Sequence, residues 1–93
     1  MQSPSSVIDR TDAPSDRPPE VIDVRTLGPP EPLKETLETL ADLDAETVLV
    51  QRNDRAPQFL YPKLDDRGYA YETVDLDDEV VTVIWQEDFE ETR

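Results

Sequence analysis

Apolar positions along this chain fall into short periodic runs separated by polar turns, and the period changes from run to run. Val21, Ile22 and Val24 sit within Glu20–Arg25 and predict a short strand. Gly28-Pro29-Pro30 breaks that run. A helix is expected from about Pro30 to Asp42, because Leu33, Leu37 and Leu40 follow at i, i+4 and i+7, with Leu43 just beyond. Prolines suit such a start, since first-turn N–H groups have no intrahelical acceptor. Glu31 suits the positive end of the helix dipole. Lys34, Glu35, Glu38 and Asp42 fill the opposite side, either as a solvated face or as a partner surface.

Thr47–Gln51 is β-branched and nearly continuous in apolarity, which predicts a central strand covered on at least one side. Arg52–Arg55 makes the next corner, with Asp54 placed to cap a second helix through Ala56, Pro57, Phe59, Leu60 and Leu64. Pro62 does not fit a helix interior, so that helix is expected to kink or restart there, and Gly68 supplies a left-handed C-cap. Tyr69–Asp75 alternates: Tyr69, Tyr71 and Thr73 on one side, Ala70, Glu72 and Val74 on the other. Glu79–Gln86 is apolar on both sides, and the acidic turn at Asp77-Asp78 makes the two runs a hairpin.

The predicted order is β-α-β-α-β-β. Each helical crossover implies parallel, right-handed pairing of the strands it joins. Two helices cannot cover both faces of four strands. The expected fold class is therefore α/β (α+β): a two-layer sandwich, with a four-stranded mixed sheet, two helices on one face and the other face open. The domain is expected over 20–87. Residues 1–19 hold Pro4, Pro14, Pro18 and Pro19 and little apolar beyond Val7 and Ile8. They read as a disordered arm, or alternatively a docking tail, and 88–93 read as a disordered tail.

Composition narrows the chemistry. A chain of 93 residues, 35% hydrophobic and 34% charged, supports one small core. Cys and His are both absent. Disulfides, thiolate chemistry and the commonest metal ligands and acid–base groups are thereby removed, and no cofactor is expected. The net charge is −14, from 23 acids against 9 bases. Such a balance fits either a disordered acidic chain or a folded protein adapted to high salt. The periodic runs and the use of only two lysines, Lys34 and Lys63, favour the second, in the halophilic-archaeal style. An acidic surface repels phosphates, so no nucleic-acid partner is expected. No apolar run approaches a membrane span and no signal-peptide core is visible, so a cytoplasmic protein is expected.

The stretch Asp23–Pro32, DVRTLGPPEP, resembles the strand-turn-helix signature of the TusA/SirA sulfur carriers: Asp, an apolar residue, Arg, Leu, then Cys-Pro-Glu-Pro at the helix start. The likeness spans about Val21–Gln86. It is closest to a cysteine-less sister family of uncharacterised domains, on Pro29–Leu33, Arg52–Pro57, Leu60–Pro62, Arg67–Tyr69 and Trp85. The resemblance implies a two-layer sandwich of the same strand order. A sulfur carrier holds its persulfide on the cysteine, where a helix N-terminus favours the anion. Pro29 stands at that position here, so sulfur transfer does not carry over.

The candidate ligand or partner site is Arg25, Pro29, Pro30, Glu31, Arg52 and Arg55, at the C-terminal ends of the first two strands, where open α/β sheets bind ligands. One reading is a non-catalytic module that uses this corner and the open sheet face to hold a protein partner in redox, sulfur or nitrogen metabolism. Another is a small-anion or small-molecule site using Arg25, Arg52 and Arg55. The plain alternative is that these arginines pair with Asp23, Asp54 or nearby glutamates. Tyr69, Tyr71 and Trp85 read either as partner anchors or as core. The carboxylate groups Asp65-Asp66 and Asp77-Asp78-Glu79 lie at an expected helix end and hairpin turn and lack the context that separates catalytic carboxyl pKa values, so no enzyme activity is expected. A monomer or weak homodimer is expected.

Overall fold

In a computed structural model, residues 4–14, 16–28, 31–44 and 46–86 are described, and seven elements follow in chain order. They are α1 (Pro4–Ile8), β1 (Pro19–Asp23), α2 (Glu31–Asp42), β2 (Val48–Asn53), α3 (Tyr61–Asp66), β3 (Tyr69–Asp75) and β4 (Val80–Gln86). The four strands form one mixed sheet in the order β1-β2-β4-β3. The β1–β2 pair is parallel, with Val21 opposite Val50; β2–β4 and β3–β4 are antiparallel, with Gln51 opposite Thr82 and Thr82 opposite Thr73. This is the expected α+β sandwich of four strands, with α2 and α3 on the same face.

One pairing differs from expectation. β2 and β3 run the same way but are not neighbours, because β4 lies between them. The sequence gives the reason. β4 buries residues on both faces, Val81 and Val83 on one and Thr82 and Ile84 on the other, so it takes an interior place. β3 carries Glu72, Thr73 and Asp75 and is left at the edge.

The helix face holds Leu40, Leu49, Leu60, Leu64 and Ile84 in one buried cluster, with Leu33, Leu37, Tyr69 and Tyr71 packed against it. The leucine stripe of α2 therefore faces the sheet as its spacing predicts. The second helix is shorter than expected. Residues 54–60 form turns, α3 begins at Tyr61, and its N-cap position, Leu60, has no side-chain cap. Asp54 does not cap this helix, which starts seven residues later at Tyr61; its carboxylate accepts from Arg55 Nε at 3.2 Å. A helix begun at Ala56 would have driven the Pro62 ring into the Gln58 carbonyl, whereas starting at Tyr61 puts Pro62 in the first turn, where it is tolerated. Gly68 ends the element at φ +78°, in the left-handed region.

The opposite sheet face is covered, not open, and the cover is the expected disordered arm. Val7, Ile8 and Ala13 are buried against Val48, Val50, Val81, Val83 and Trp85. The arm turns back after α1 through Thr11, whose N–H and hydroxyl both donate to the Ile8 carbonyl, at 2.9 and 2.8 Å. Composition pointed to disorder because two apolar residues are too few for a core of their own. On a ready-made apolar sheet face they suffice. Burying Val7 and Ile8 contributes about 1.5–3 kcal/mol each. The expected tail 88–93 lies outside the described residues. No helix among them is long and apolar enough to cross a membrane.

Candidate functional site

β1 and β2 run parallel and β3 runs with them, so the loops Val24–Gly28, 54–60 and Leu76–Glu79 all emerge at one end of the sheet. β1 ends at Asp23 rather than continuing to Arg25, because the Asp23 carboxylate turns inward on the chain. It accepts the Arg25 backbone N–H at 3.1 Å and both Nε and Nη2 of the Arg25 guanidinium at 2.9 Å. Arg52, next to Asp23 in register, reaches it at 3.8 Å and clasps Glu79 through Nε and Nη2 at 2.8 and 3.2 Å. The result is a continuous ion chain, Arg25–Asp23–Arg52–Glu79.

Arg25 and Arg52 are therefore brought together, through Asp23. Arg55 is not part of the chain: it pairs with Asp54 at 3.2 Å and its side chain is 77% exposed. Glu31 is exposed in the first turn of α2, its N–H donating to the Gly28 carbonyl at 3.0 Å. Pro29 and Pro30 lie outside the described residues. The plain pairing reading of the three arginines is what the geometry shows.

Hydrogen bonds from the Arg25 side chain, then from its backbone N–H, lower the Asp23 carboxyl to about 2, from an ordinary 3.8. A carboxyl lowered by folding stabilises the fold above its unfolded pKa and loses that contribution as pH falls through its folded one. For Asp23 the window is from about 3.8 down to about 2. A carbon-13 titration of the Asp23 carboxyl is expected to show a midpoint near 2, and Arg25→Ala to return it toward 3.8. A midpoint unmoved by the substitution would contradict the assignment. The Arg52 guanidinium is raised above its ordinary value, first by its hydrogen bonds to Glu79.

A polar seam runs inward from this end on the helix face. Gln51 is fully buried; its amide donates to the Thr36 hydroxyl at 2.8 Å, and Thr36 donates to the Pro32 carbonyl at 2.7 Å. The Asn53 amide donates to the Gln51 side-chain carbonyl at 3.3 Å. Across the sheet, Thr82 and Thr73 share a hydrogen bond at 3.1 Å, and Thr73 meets the Tyr61 hydroxyl. Tyr61 stacks on Tyr71 with ring centroids 4.9 Å apart. Among the described residues no buried side-chain polar atom lacks a partner, so the seam ties α2 to the sheet rather than waiting for a ligand.

Large apolar side chains also emerge at this end. Phe59 is 82% exposed and Leu27 is 40% exposed. Among the described residues, no group of three or more Asp and Glu side chains gathers as metal ligands would. Asp65-Asp66 and Asp77-Asp78 are exposed, at the end of α3 and in the hairpin turn.

A family model described as an uncharacterised conserved protein, DUF2249, matches residues 21–86, from within β1 to the end of β4. The chain belongs to the DUF2249 family. No curated protein and no solved structure matches it. The DUF2249 match takes in the ion chain, the polar seam and Phe59, and it leaves out the arm that covers the second sheet face. Sequence reasoning named Arg25, Arg52 and Arg55 but not Glu79 as a partner, nor Gln51, Thr36 and Phe59 as features of this end. Phe59 falls within the helix that the spacing predicts, and the break at 54–60 leaves it exposed.

Proposed function

We propose that this DUF2249 domain is a non-catalytic protein-interaction module whose docking end is the one carrying Phe59 and Leu27. The observation that carries the reading is the 82% exposure of Phe59 on a chain with net charge −14. An exposed aromatic is unusual on such a surface. At the same end Asp23, Glu79 and Asp54 are matched by Arg25, Arg52 and Arg55 in the ion pairs described above, while Asp77 and Asp78 lie exposed in the hairpin turn. Interface centres are depleted in net charge and enriched in aromatic anchors. The scaffold resembles the sulfur carriers while Pro29 takes the thiol position, which favours binding over transfer and points to a partner in redox, sulfur or nitrogen metabolism. A small anion at Arg25, Arg52 and Arg55 is the weaker reading, because it would have to displace Asp23 and Glu79 from bidentate pairs.

The acidic composition is read as adaptation to high salt, so the test uses a native high-salt lysate. A photoreactive residue at Gln58, exposed beside Phe59, is compared with one at Glu46, exposed at the opposite end of β2. Capture of a discrete species from position 58 and not 46 is expected. Phe59→Ala should reduce it by about tenfold or more, since a central anchor is worth about 2 kcal/mol or more. Equal capture from both positions, or capture indifferent to Phe59→Ala, would contradict the reading.

A further inference from the structure

β3 forms one edge of the sheet. At its end the Leu76 N–H donates to the Glu79 carbonyl at 2.9 Å across the hairpin, which fixes the alternation: Ala70, Glu72, Val74 and Leu76 turn their main chain toward β4. Tyr69, Tyr71, Thr73 and Asp75 therefore turn theirs outward, and among the described residues no hydrogen bond reaches those N–H and C=O groups. The other edge is blunted. β1 has five residues and begins at Pro19, which has no N–H to give. β3 has seven, with neither proline nor lysine among them. An open row of this length is a template for a further strand.

Charge selects the strand that fits. Asp75 ends β3 exposed, and Arg67 stands exposed just before its start. Neither is in an ion pair among the described residues. Asp65, near Arg67, is turned to the Tyr71 hydroxyl at 3.1 Å. Two copies of β3 laid antiparallel about a two-fold axis through Tyr71 bring each Asp75 to the other's Arg67 corner. Tyr69 then lies opposite Thr73, and Ala70 opposite Glu72. An axis through Glu72 would set like charges face to face, and one through Thr73 would set Asp75 against Tyr71 instead.

We propose that the chain forms a symmetric homodimer through the outer edge of β3, paired antiparallel about Tyr71. The pairing joins two four-stranded sheets into one and adds about six main-chain hydrogen bonds, two for each of three residue pairs. A contact this narrow gives a weak dimer. High salt favours it by screening the repulsion between two chains of net charge −14. Because the strands run antiparallel, the two ends that carry Phe59 point in opposite directions. The edge is separate from the Phe59 end, and the proposal stands without that reading.

The chain has no cysteine, so disulfide trapping reads the register directly. Chains carrying Ala70→Cys and chains carrying Glu72→Cys are mixed in high salt and mildly oxidised. Opposite residues of a non-hydrogen-bonded antiparallel pair stand about 4.5 Å apart at Cα, within disulfide reach. The mixed disulfide is expected to exceed either variant's disulfide with itself by about tenfold or more, because those offset positions lie beyond about 7 Å. Self-pairing of either variant at the same yield, or no disulfide at all, overturns the proposal. Should the variants lose their fold, hydrogen exchange on the unmodified chain decides. For a roughly hundredfold rise in protein concentration, the Tyr71 and Thr73 amides are expected to slow by about threefold or more, while that of Val21, which points outward on β1, stays unchanged. Exchange indifferent to concentration, slowing at Val21 instead, or a monomer at every concentration in sedimentation overturns the dimer.

Discussion

Transfer from molar salt into dilute buffer is expected to cost this domain its cooperative fold. The excess charge is −14, and the radius of gyration is 12.5 Å. At about 1 M salt the Debye length is about 3 Å, so each carboxylate is felt only by its immediate neighbours; at about 0.01 M it is about 30 Å, longer than the molecule's radius. Two like charges about 15 Å apart in water repel by roughly 0.3 kcal/mol. Summed over the pairs that such an excess forms, the repulsion rivals the roughly 5–15 kcal/mol that holds a small domain together. The unfolded chain relieves most of it by expanding. The ion pairs of the Asp23 and Asp54 corners are local, and all but the largely buried Glu79 carboxylate are at least a third exposed, so they do not offset a field from the whole surface. Far-ultraviolet circular dichroism across a salt titration measures the transition. Full helical signal without salt would remove the high-salt reading of the composition.

Ile84→Ala is expected to destabilise the domain by about 2–5 kcal/mol, the range for truncating a buried aliphatic side chain. Ile84 is fully buried in β4, with Leu49 of β2 and Tyr71 of β3 directly beside it in register. The cluster around it takes residues from α2, the loop before α3, and α3 itself: Leu40, Leu60 and Leu64. Collapse of the surroundings into the space is hindered, because the Thr82–Thr73 hydrogen bond holds the neighbouring row in place. Val21→Ala is the matched control. Val21 is 41% exposed on the edge strand β1, where such changes are usually within about 0.5 kcal/mol. Denaturant midpoints at constant high salt give both numbers. An Ile84→Ala shift no larger than that of Val21→Ala would mean that the helix-face cluster is not the main core.

Much of this molecule follows from local pattern. The leucines of α2 at i, i+4 and i+7 face the sheet because a helix has only one way to line them up. The alternation of β3 puts Tyr69 and Tyr71 on the helix face and Ala70 and Val74 on the other, as a strand must. Gly68 closes α3 because a left-handed residue is needed there. Pro62 marks a helix start for the same steric reason that bars it from a helix interior. These are constraints that a residue and its near neighbours settle among themselves.

The tertiary structure decided what depends on distant partners. β4 separates β2 from β3, and that placement carries Glu79 to Arg52, 27 residues away in sequence, which no spacing rule could supply. Gln51 read as the polar end of an apolar strand, yet it is fully buried because Thr36, one helix earlier, meets its amide. Val7 and Ile8 looked like isolated apolar residues in a polar arm, and they are buried because a sheet face built from β2 and β4 lacks a layer. In this protein the sequence alone determined the four strands, the helix α2 and the sides that α2 and β3 bury, since those choices rest on backbone sterics and periodicity. Only the tertiary structure decided which charges neutralise each other and which apolar residues find cover, because both depend on surfaces that exist only once the sheet is assembled.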